Sequence, residues 1–388
     1  MSKKLIHIIS SNRADFGLLN NLIQELQLNN KFKTKFIVTG NHLQKKFANS
    51  IKEISNLKTK IDYKIRINEN YHKNARSENN LSKYINKFSD FFNKHTPNLL
   101  IVLGDRYELF GICISAAYNN IPIAHISGGE TTRGSYDEFN RHCISKLSLL
   151  HFTSKSIYKK RLIQLGEHPS RVFNVGNLIN DSIAKLIFSS KLSLENKYKF
   201  VFNKKNLLIT FHPVTNEPNS SKKYIKEIIK SLKKYSDIFF IFTSPNSDLG
   251  SNDIVKEIKL FIKINNNSIF ISSLGHKDYL STLLHVDAVI GNSSSGLTEV
   301  PFFNIPTINL GDRQEGRYLE KTVINCKINA NLIIKSINKV YKNKNKNRKP
   351  YSLSAKSTQS TSKKIVSILE NVKLKKNFKK KFYDLKNH

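Results

Sequence analysis

The chain has 388 residues, 39% hydrophobic and 10% aromatic, a composition that suits two globular domains and not a disordered polymer. Its formal net charge is +35, but the lysines are scattered among asparagines and isoleucines without an RNA-recognition, zinc-finger or basic-zipper pattern, so they read as a solvated surface and argue against a nucleic-acid partner. No uncharged apolar run approaches the ~18 residues of a membrane span, and three dispersed cysteines, Cys113, Cys143 and Cys326, fit neither a disulfide framework nor a CxxC metal site, so no membrane partner and a reduced, cytoplasmic setting are expected.

From the amino terminus, MSKKLIHIIS joins two lysines to a short apolar run that stops at Ser10, Ser11, Asn12 and Arg13 with no small-residue cleavage site. It reads as a buried strand, not as a signal peptide. Further aliphatic runs at Leu5–Ile9, Phe36–Thr39, Leu99–Leu103, Ile123–Ile126 and Val172–Val175 alternate with helix-length segments at Leu18–Leu28, Leu81–Asn93, Glu108–Tyr118 and Lys155–Leu165. After a polar, lysine-rich stretch at about 189–205 the pattern restarts. Strands are expected at Leu207–Phe211, Ile238–Thr243, Ile269–Ser272, Ala288–Ile290 and Thr307–Leu310, and helices at Tyr224–Lys234, Ile254–Ile264 and Tyr279–Leu284. A Lys/Asn segment around 340–349 reads as a surface linker, followed by a last helix near Thr361–Val372 and a basic tail.

Strand and helix in alternation predict the α/β class with parallel, doubly wound sheets. The expected division is an amino-terminal Rossmann-like domain over 1–190, a second over 191–350, and a carboxy-terminal helix and tail over 351–388. Such sheets bind ligands at the carboxyl ends of their strands, so two of them are expected to face each other across a cleft.

The residues at those strand ends carry the chemistry. After the first strand comes SNRADFG, where Arg13 is a candidate for gripping a phosphate or carboxylate and Asp15 for capping the helix. After Leu103 comes Gly104–Asp105–Arg106–Tyr107–Glu108, with an acid and a base at the lip of a buried strand. SGGETTRGSYDE follows Ile126, with Arg141 and His142 on the next helix; its paired glycines let backbone approach a ligand, and Glu130, Asp137 and Glu138 are carboxylates of the kind that donate and accept protons. In the second half His212 ends a strand in TFHPVT, where a structural and a functional role are equally open. The run Gly291–Asn292–Ser293–Ser294–Ser295–Gly296 before Glu299 is expected to open a helix whose N–H groups, hydroxyls and dipole suit a diphosphate, with Glu299 accepting from a ribose. GDRQEGR closes the series with Arg313 and Arg317, as neutralising cations or as partners of Asp312 and Glu315.

Taken together, SNRADFG, LGDRYE, GGETTRGSYDEFNRH, LGE…VFNVGN, TFHPVT, SPNSDLG, IGNSSSG…E and NLGDRQEGR resemble, in order and spacing, the hydrolysing UDP-N-acetylglucosamine 2-epimerases, from the first strand to about Val323; the ending KKFYDL is similar to capsule-type members. The resemblance implies a glycosyltransferase-B fold, a UDP-amino-sugar substrate, anti elimination of UDP to a 2-acetamidoglucal followed by syn hydration, no cofactor and no metal, and a homo-oligomer. It implies Asp105, Glu130 and Asp137 as acid/base carboxylates and His212 beside sugar and diphosphate. Arg13 and Arg106 would meet the nucleotide sugar from the first domain, and Ser293, Ser294, Glu299 and Arg313 would hold UDP. Ser127 stands where the non-hydrolysing relatives have a glutamate, a role that passes here to Glu130. The product expected is N-acetylmannosamine for sialic acid synthesis. UDP-N,N′-diacetylbacillosamine for legionaminic-type acids, a glycosyltransferase of the same fold, and a basic nucleic-acid-binding protein are the alternatives.

Overall fold

The structure is a computed structural model that describes residues 3–44, 49–57, 59–69, 77–132, 137–214, 217, 219–246, 250–343, 360–374 and 378–385. It divides into two compact units. The first comprises Met1–Glu130, Asp137–Lys185 and Lys356–His388, and the second Thr131–Tyr136 and Leu186–Ala355.

In the first unit β1 (Lys4–Ser10), α1 (Arg13–Leu28), β2 (Phe32–Val38), α2 (Asn49–Asn56), β3 (Tyr63–Lys64), α3 (Ser77–Lys94), β4 (Leu99–Leu103), α4 (Tyr107–Tyr118), β5 (Ile123–Ile126), α5 (Asp137–Leu147), β6 (Leu150–Thr153), α6 (Ser156–Gln164), β7 (Val172–Asn174) and α7 (Ile179–Lys185) follow one another. The seven strands are all parallel in the order β3-β2-β1-β4-β5-β6-β7. A central parallel strand is covered on both faces, which is why β4 reads LLIVL without a polar residue. Its period of two deals Leu99, Ile101 and Leu103 to the core shared with α1, and Leu100 and Val102 to the core shared with α3 and α4.

The second unit runs α8 (Lys191–Tyr198), β8 (Asn206–Thr210), α9 (Ser221–Leu232), β9 (Phe239–Thr243), α10 (Ser251–Ile264), β10 (Ser268–Ile271), α11 (Gly275–Leu283), β11 (Ala288–Gly291), α12 (Ser295–Thr298), β12 (Thr307–Leu310), β13 (Val323–Cys326) and α13 (Ala330–Asn343). Its six parallel strands are ordered β10-β9-β8-β11-β12-β13. In each sheet the strand order reverses at one point, β1/β4 and β8/β11, and the predicted site residues cluster at the loops leaving those strands and their neighbours.

The α/β, doubly wound class expected from the apolar runs is what forms. Strands β3, β6 and β13 were not expected. Each has two to four residues, and β6 carries His151 in its middle, which breaks the apolar signal. The lysine-rich stretch at 189–205 contains a helix, α8. Asp278 on α11 accepts from Ser189 Oγ (2.7 Å), Lys197 Nζ (2.5 Å) and Tyr198 OH (2.8 Å), which fixes α8. Of the expected linker at 340–349, residues 344–349 lie outside the described residues, and α13 occupies the rest to Asn343.

The last helix, α14 (Thr361–Asn371), belongs to the first unit, although it follows the second in sequence. Ile365, Val366 and Leu369 join the core under α1. Asp181 caps its start by accepting from the N–H groups of Thr361 (2.9 Å) and Ser362 (2.6 Å). Lys4 Nζ caps its end, donating to the carbonyls of Leu369 (3.0 Å), Glu370 (3.2 Å) and Val372 (2.9 Å). Among the described residues no helix is long and apolar enough to cross a membrane.

Candidate active site

In the first unit the loops after β1, β4 and β5 and the start of α5 bring the carboxylates and arginines into two linked groups. Arg141, on the second turn of α5, is 1% exposed, among the largest fully buried side chains. Its Nη2 pairs with the Asp105 carboxylate, and its Nη1 donates to the carbonyl of Glu130 (3.1 Å) and reaches Glu138 Oε2 (3.4 Å). One guanidinium thus fixes the loop after β4 against the loop after β5. The Glu130 carboxylate, itself 9% exposed, accepts from Ser154 Oγ (3.2 Å), and Arg161 Nη1 donates to the Gly129 carbonyl (2.5 Å). Ser127 adopts a left-handed backbone, φ +66°, a conformation that costs a non-glycine residue about 1–2 kcal/mol.

The second group surrounds Arg106, the N-cap residue of α4. It grips Glu108 through Nε (3.1 Å to each carboxylate oxygen) and Nη2 (2.7 Å). Burial disfavours its charge, and Glu108, Asp15 and Asp137 outweigh that penalty. Asp15 does not cap α1 as expected. Asn12 is the N-cap, its side chain accepting from the Asp15 N–H (3.0 Å), while the Asp15 carboxylate accepts from Asn12 Nδ2 (2.6 Å) and Ser11 Oγ (3.1 Å). Burial pushes Asp15 up to about 6 against the opposing pull of Arg106. Burial pushes the His42 ring down to about 4, and Arg13, which opens α1, adds to that effect.

In the second unit Asn292, fully buried, organises the site. Its side chain accepts from the His212 N–H (2.7 Å) and donates to the His212 carbonyl (2.8 Å), while its own carbonyl accepts from Arg313 Nη1 (3.1 Å) and Gln314 Nε2 (3.0 Å). Gly291 before it has φ +147°, and a Cβ there would lie 1.8 Å from the Thr210 carbonyl oxygen, so only glycine lets β11 pass this close to β8. His212 Nδ1 accepts from the Asn246 N–H (2.9 Å). Burial, reinforced by Arg313, pushes the ring down to about 3, so the imidazole is neutral with its proton on Nε2. His212 is therefore a neutral hydrogen-bond donor and not a charged acid.

The expected helix after Gly291 is the single α-helical turn α12, followed after Glu299 by a 3-10 turn over Val300–Phe303. Without several aligned turns there is little macrodipole, and the attraction for an anion rests on local N–H groups and hydroxyls. Ser294 makes no side-chain capping bond, leaving the hydroxyl row to Ser293 and Ser295 (3.1 Å apart), with Tyr279 OH donating to Ser295 (2.8 Å). Burial pushes Glu299 up to about 7. Arg317 Nε donates to Thr132 Oγ1 (3.2 Å), and Thr131 Oγ1 pairs with the Gly316 carbonyl.

The structure thus joins Asp105 and Glu130 through Arg141, places Arg106 within reach of Asp137's charge, and joins His212 to Arg313 through Asn292. Arg141 and Asn292 were visible only as motif members; neither's connecting role has a local signal. No group of three or more metal-ligating side chains occurs among the described residues.

Known structures and sequences resemble this chain over most of its length. Over 95% of this chain and the whole of the other, the fold superposes on a UDP-GlcNAc 2-epimerase from Neisseria meningitidis bound to UDP-GlcNAc, with a TM-score of 0.78 at 22% identity. The similarity extends, at a TM-score of 0.51, to the lipopolysaccharide galactosyltransferase WaaB, in keeping with the glycosyltransferase-B type. In sequence the chain is 39% identical over 333 residues to the GDP/UDP-N,N′-diacetylbacillosamine 2-epimerase (hydrolyzing) of Campylobacter jejuni, covering 85% of this chain and 86% of that one. It is 38% identical over 337 residues to the polysialic acid biosynthesis protein P7 of Escherichia coli, covering 87% and 85%. The profile of the family described as UDP-N-acetylglucosamine 2-epimerase matches residues 24–370, and this chain of two α/β units belongs to that family.

Proposed function

We propose that the protein is a hydrolysing 2-epimerase that converts UDP-N-acetylglucosamine and water into N-acetylmannosamine and UDP, supplying sialic acid synthesis. The observation that carries this reading is the buried guanidinium of Arg141 holding Asp105 against the Glu130 loop, which presents carboxylates on a rigid frame. The C2 proton is only weakly acidic, so a carboxylate removes it as the C1–O bond breaks and UDP departs with the bonding pair, leaving a 2-acetamidoglucal. Water then adds to the same face, oxygen to C1 and a proton to C2. Asp105, Glu130 and Asp137 are assigned the proton steps. The second unit receives the nucleotide: His212 donates Nε2–H to the departing diphosphate, Ser293, Ser294 and Arg313 add donors, and Glu299 accepts from the ribose. Arg13 and Arg106 assist from the first unit. The three cysteines are unpaired, which supports a cytoplasmic setting; a homo-oligomer is part of the same reading, and sedimentation tests it.

A second substrate, UDP-N,N′-diacetylbacillosamine, is favoured by relatives at 39% and 31% identity that bear its name. Both sugars, offered side by side in heavy water, decide the matter. The expected outcome is UDP with N-acetylmannosamine deuterated at C2, and loss of at least ~100-fold in rate on Asp105→Asn. A product without C2 deuterium overturns the elimination, faster turnover of the diacetylated sugar reassigns the substrate, and UDP release only with an added acceptor sugar marks a glycosyltransferase.

A further inference from the structure

Three strands of the first sheet carry a buried histidine: His7, His125 and His151. His151 is bonded to Glu167 and His7 packs against Tyr63 and Phe91, away from the carboxylate loops. His125 differs. Its Nε2 lies 2.8 Å from the carbonyl oxygen of Gly104, the residue immediately before Asp105. A carbonyl only accepts, so Nε2 carries the proton and Nδ1 is bare. Nδ1 lies 3.0 Å from Ser145 Oγ, which therefore donates to it. Both side chains are completely buried, and burial pushes His125 down to about 3, so the ring is locked as one neutral tautomer.

This pair touches every element that carries the carboxylates. Ser145 lies on α5 four residues after Arg141, on the same helix face, and α5 begins with Asp137 and Glu138. The turn that leads to Glu130 rests directly on the pair: a Cβ at Gly128 would stand 2.8 Å from Ser145 Oγ and 2.9 Å from His125 Nδ1. Arg141 ties the two loops together at one end, and His125 with Ser145 ties the same loops to α5 one turn further down.

We propose that His125 and Ser145 form a positioning pair that sets the spacing of Asp105, the Glu130 turn and α5 without touching substrate. The proposal rests on the epimerase reading. A displacement of about 1 Å in such a site costs up to ~100-fold in rate. His125→Phe keeps the ring and removes both bonds. It is expected to lower kcat for UDP release by about 30- to 100-fold, with KM for the sugar nucleotide and Kd for UDP within about threefold of wild type. His125→Gln retains a donor toward the Gly104 carbonyl and is expected to recover at least about tenfold of that loss, and Ser145→Ala added to His125→Phe to cost nothing more. Nitrogen-15 NMR of the intact protein supplies a readout independent of turnover: a ring signal, assigned to His125 by its loss in His125→Gln, with bare Nδ1 and protonated Nε2, unchanged from pH 5.5 to 8. Wild-type kcat in a folded His125→Phe, no rescue by glutamine, or a ring that titrates in that range overturns the proposal. If His125→Phe does not fold, Ser145→Ala and the NMR signature decide it. If wild type releases no UDP from either sugar, the epimerase reading fails instead, and the NMR result still reports the pair.

Discussion

Burial acts on His212 and Glu299 in the same direction, toward the neutral form, with different consequences. In the proposed reaction the neutral ring is the working state of His212, a donor whose tautomer is set by the Asn246 N–H. For Glu299 it is not, because in the proposed role the carboxyl accepts from ribose hydroxyls and so works as the anion. With Glu299 raised from 4.5 to about 7, UDP binding is expected to strengthen by up to about tenfold between pH 6 and 8, and Glu299→Gln to bind more weakly with a flat profile; calorimetric titration across pH checks both. The stability sign is opposite. Above 4.5 the folded state binds more protons at Glu299 than the unfolded state, so its contribution is complete at low pH and is lost as pH rises through about 7. Urea midpoints of Glu299→Gln should therefore fall less steeply between pH 5 and 7.5 than those of wild type.

At the scale of the element, α5 is held at both ends. Its start carries Asp137, Glu138 and Arg141, and its end is gripped by the carboxy-terminal tail, where Lys380 Nζ donates to the carbonyls of Lys146 (2.7 Å) and Ser148 (2.7 Å). The same ammonium lies 2.7 Å from Glu167 Oε1, a fully buried carboxylate that also accepts from His151 Nε2 (2.9 Å) and Lys146 Nζ (3.1 Å). Burial alone would raise Glu167, but His151 and Lys380 outweigh it and hold the carboxyl at about 2. Phe382 packs on Gly166 and takes Lys146 over its ring. Lys380→Met leaves Glu167 with fewer cations and is expected to cost about 2–4 kcal/mol at pH 7. Because Glu167 is depressed, its contribution is present above its ordinary value and disappears as pH falls toward 2, so the gap between variant and wild type should narrow below pH 4 in denaturant titrations.

For the whole molecule, the route of the chain matters more than its length. It builds most of the first unit, then the second, and returns at α14 to complete the first core. The proposed assignments largely follow the same division, with the proton steps given to the first unit and most nucleotide contacts, Arg13 and Arg106 apart, to the second. Hydrogen exchange with saturating UDP is accordingly expected to slow at 207–214 and 288–299, leaving β6 and α14 unchanged. Protection confined to the first unit would reverse the assignment of the nucleotide. Saturation at 100 times Kd adds about 2.7 kcal/mol to the ligand-binding state, enough to read as a shifted unfolding midpoint.

The amino-acid sequence by itself determined the class of fold, because strands covered on both faces must be continuously apolar and helices between them amphipathic. LLIVL at 99–103 and AVIG at 288–291 state their place in a parallel sheet within a few residues. It also determined which residues stand at strand ends, since Asp105, Glu130, His212 and Ser293 follow apolar runs or the glycines after them. The tertiary structure decided what depends on partners far along the chain. That Asp181 caps Thr361 across 180 residues, that Arg141 is drawn out of solvent to hold Asp105, and that Asn292 binds His212 have no local pattern to announce them. It also reduced the serine-rich helix to one turn and put a neutral histidine where sequence alone left the role open, because helix length and protonation follow from packing and burial and not from spacing.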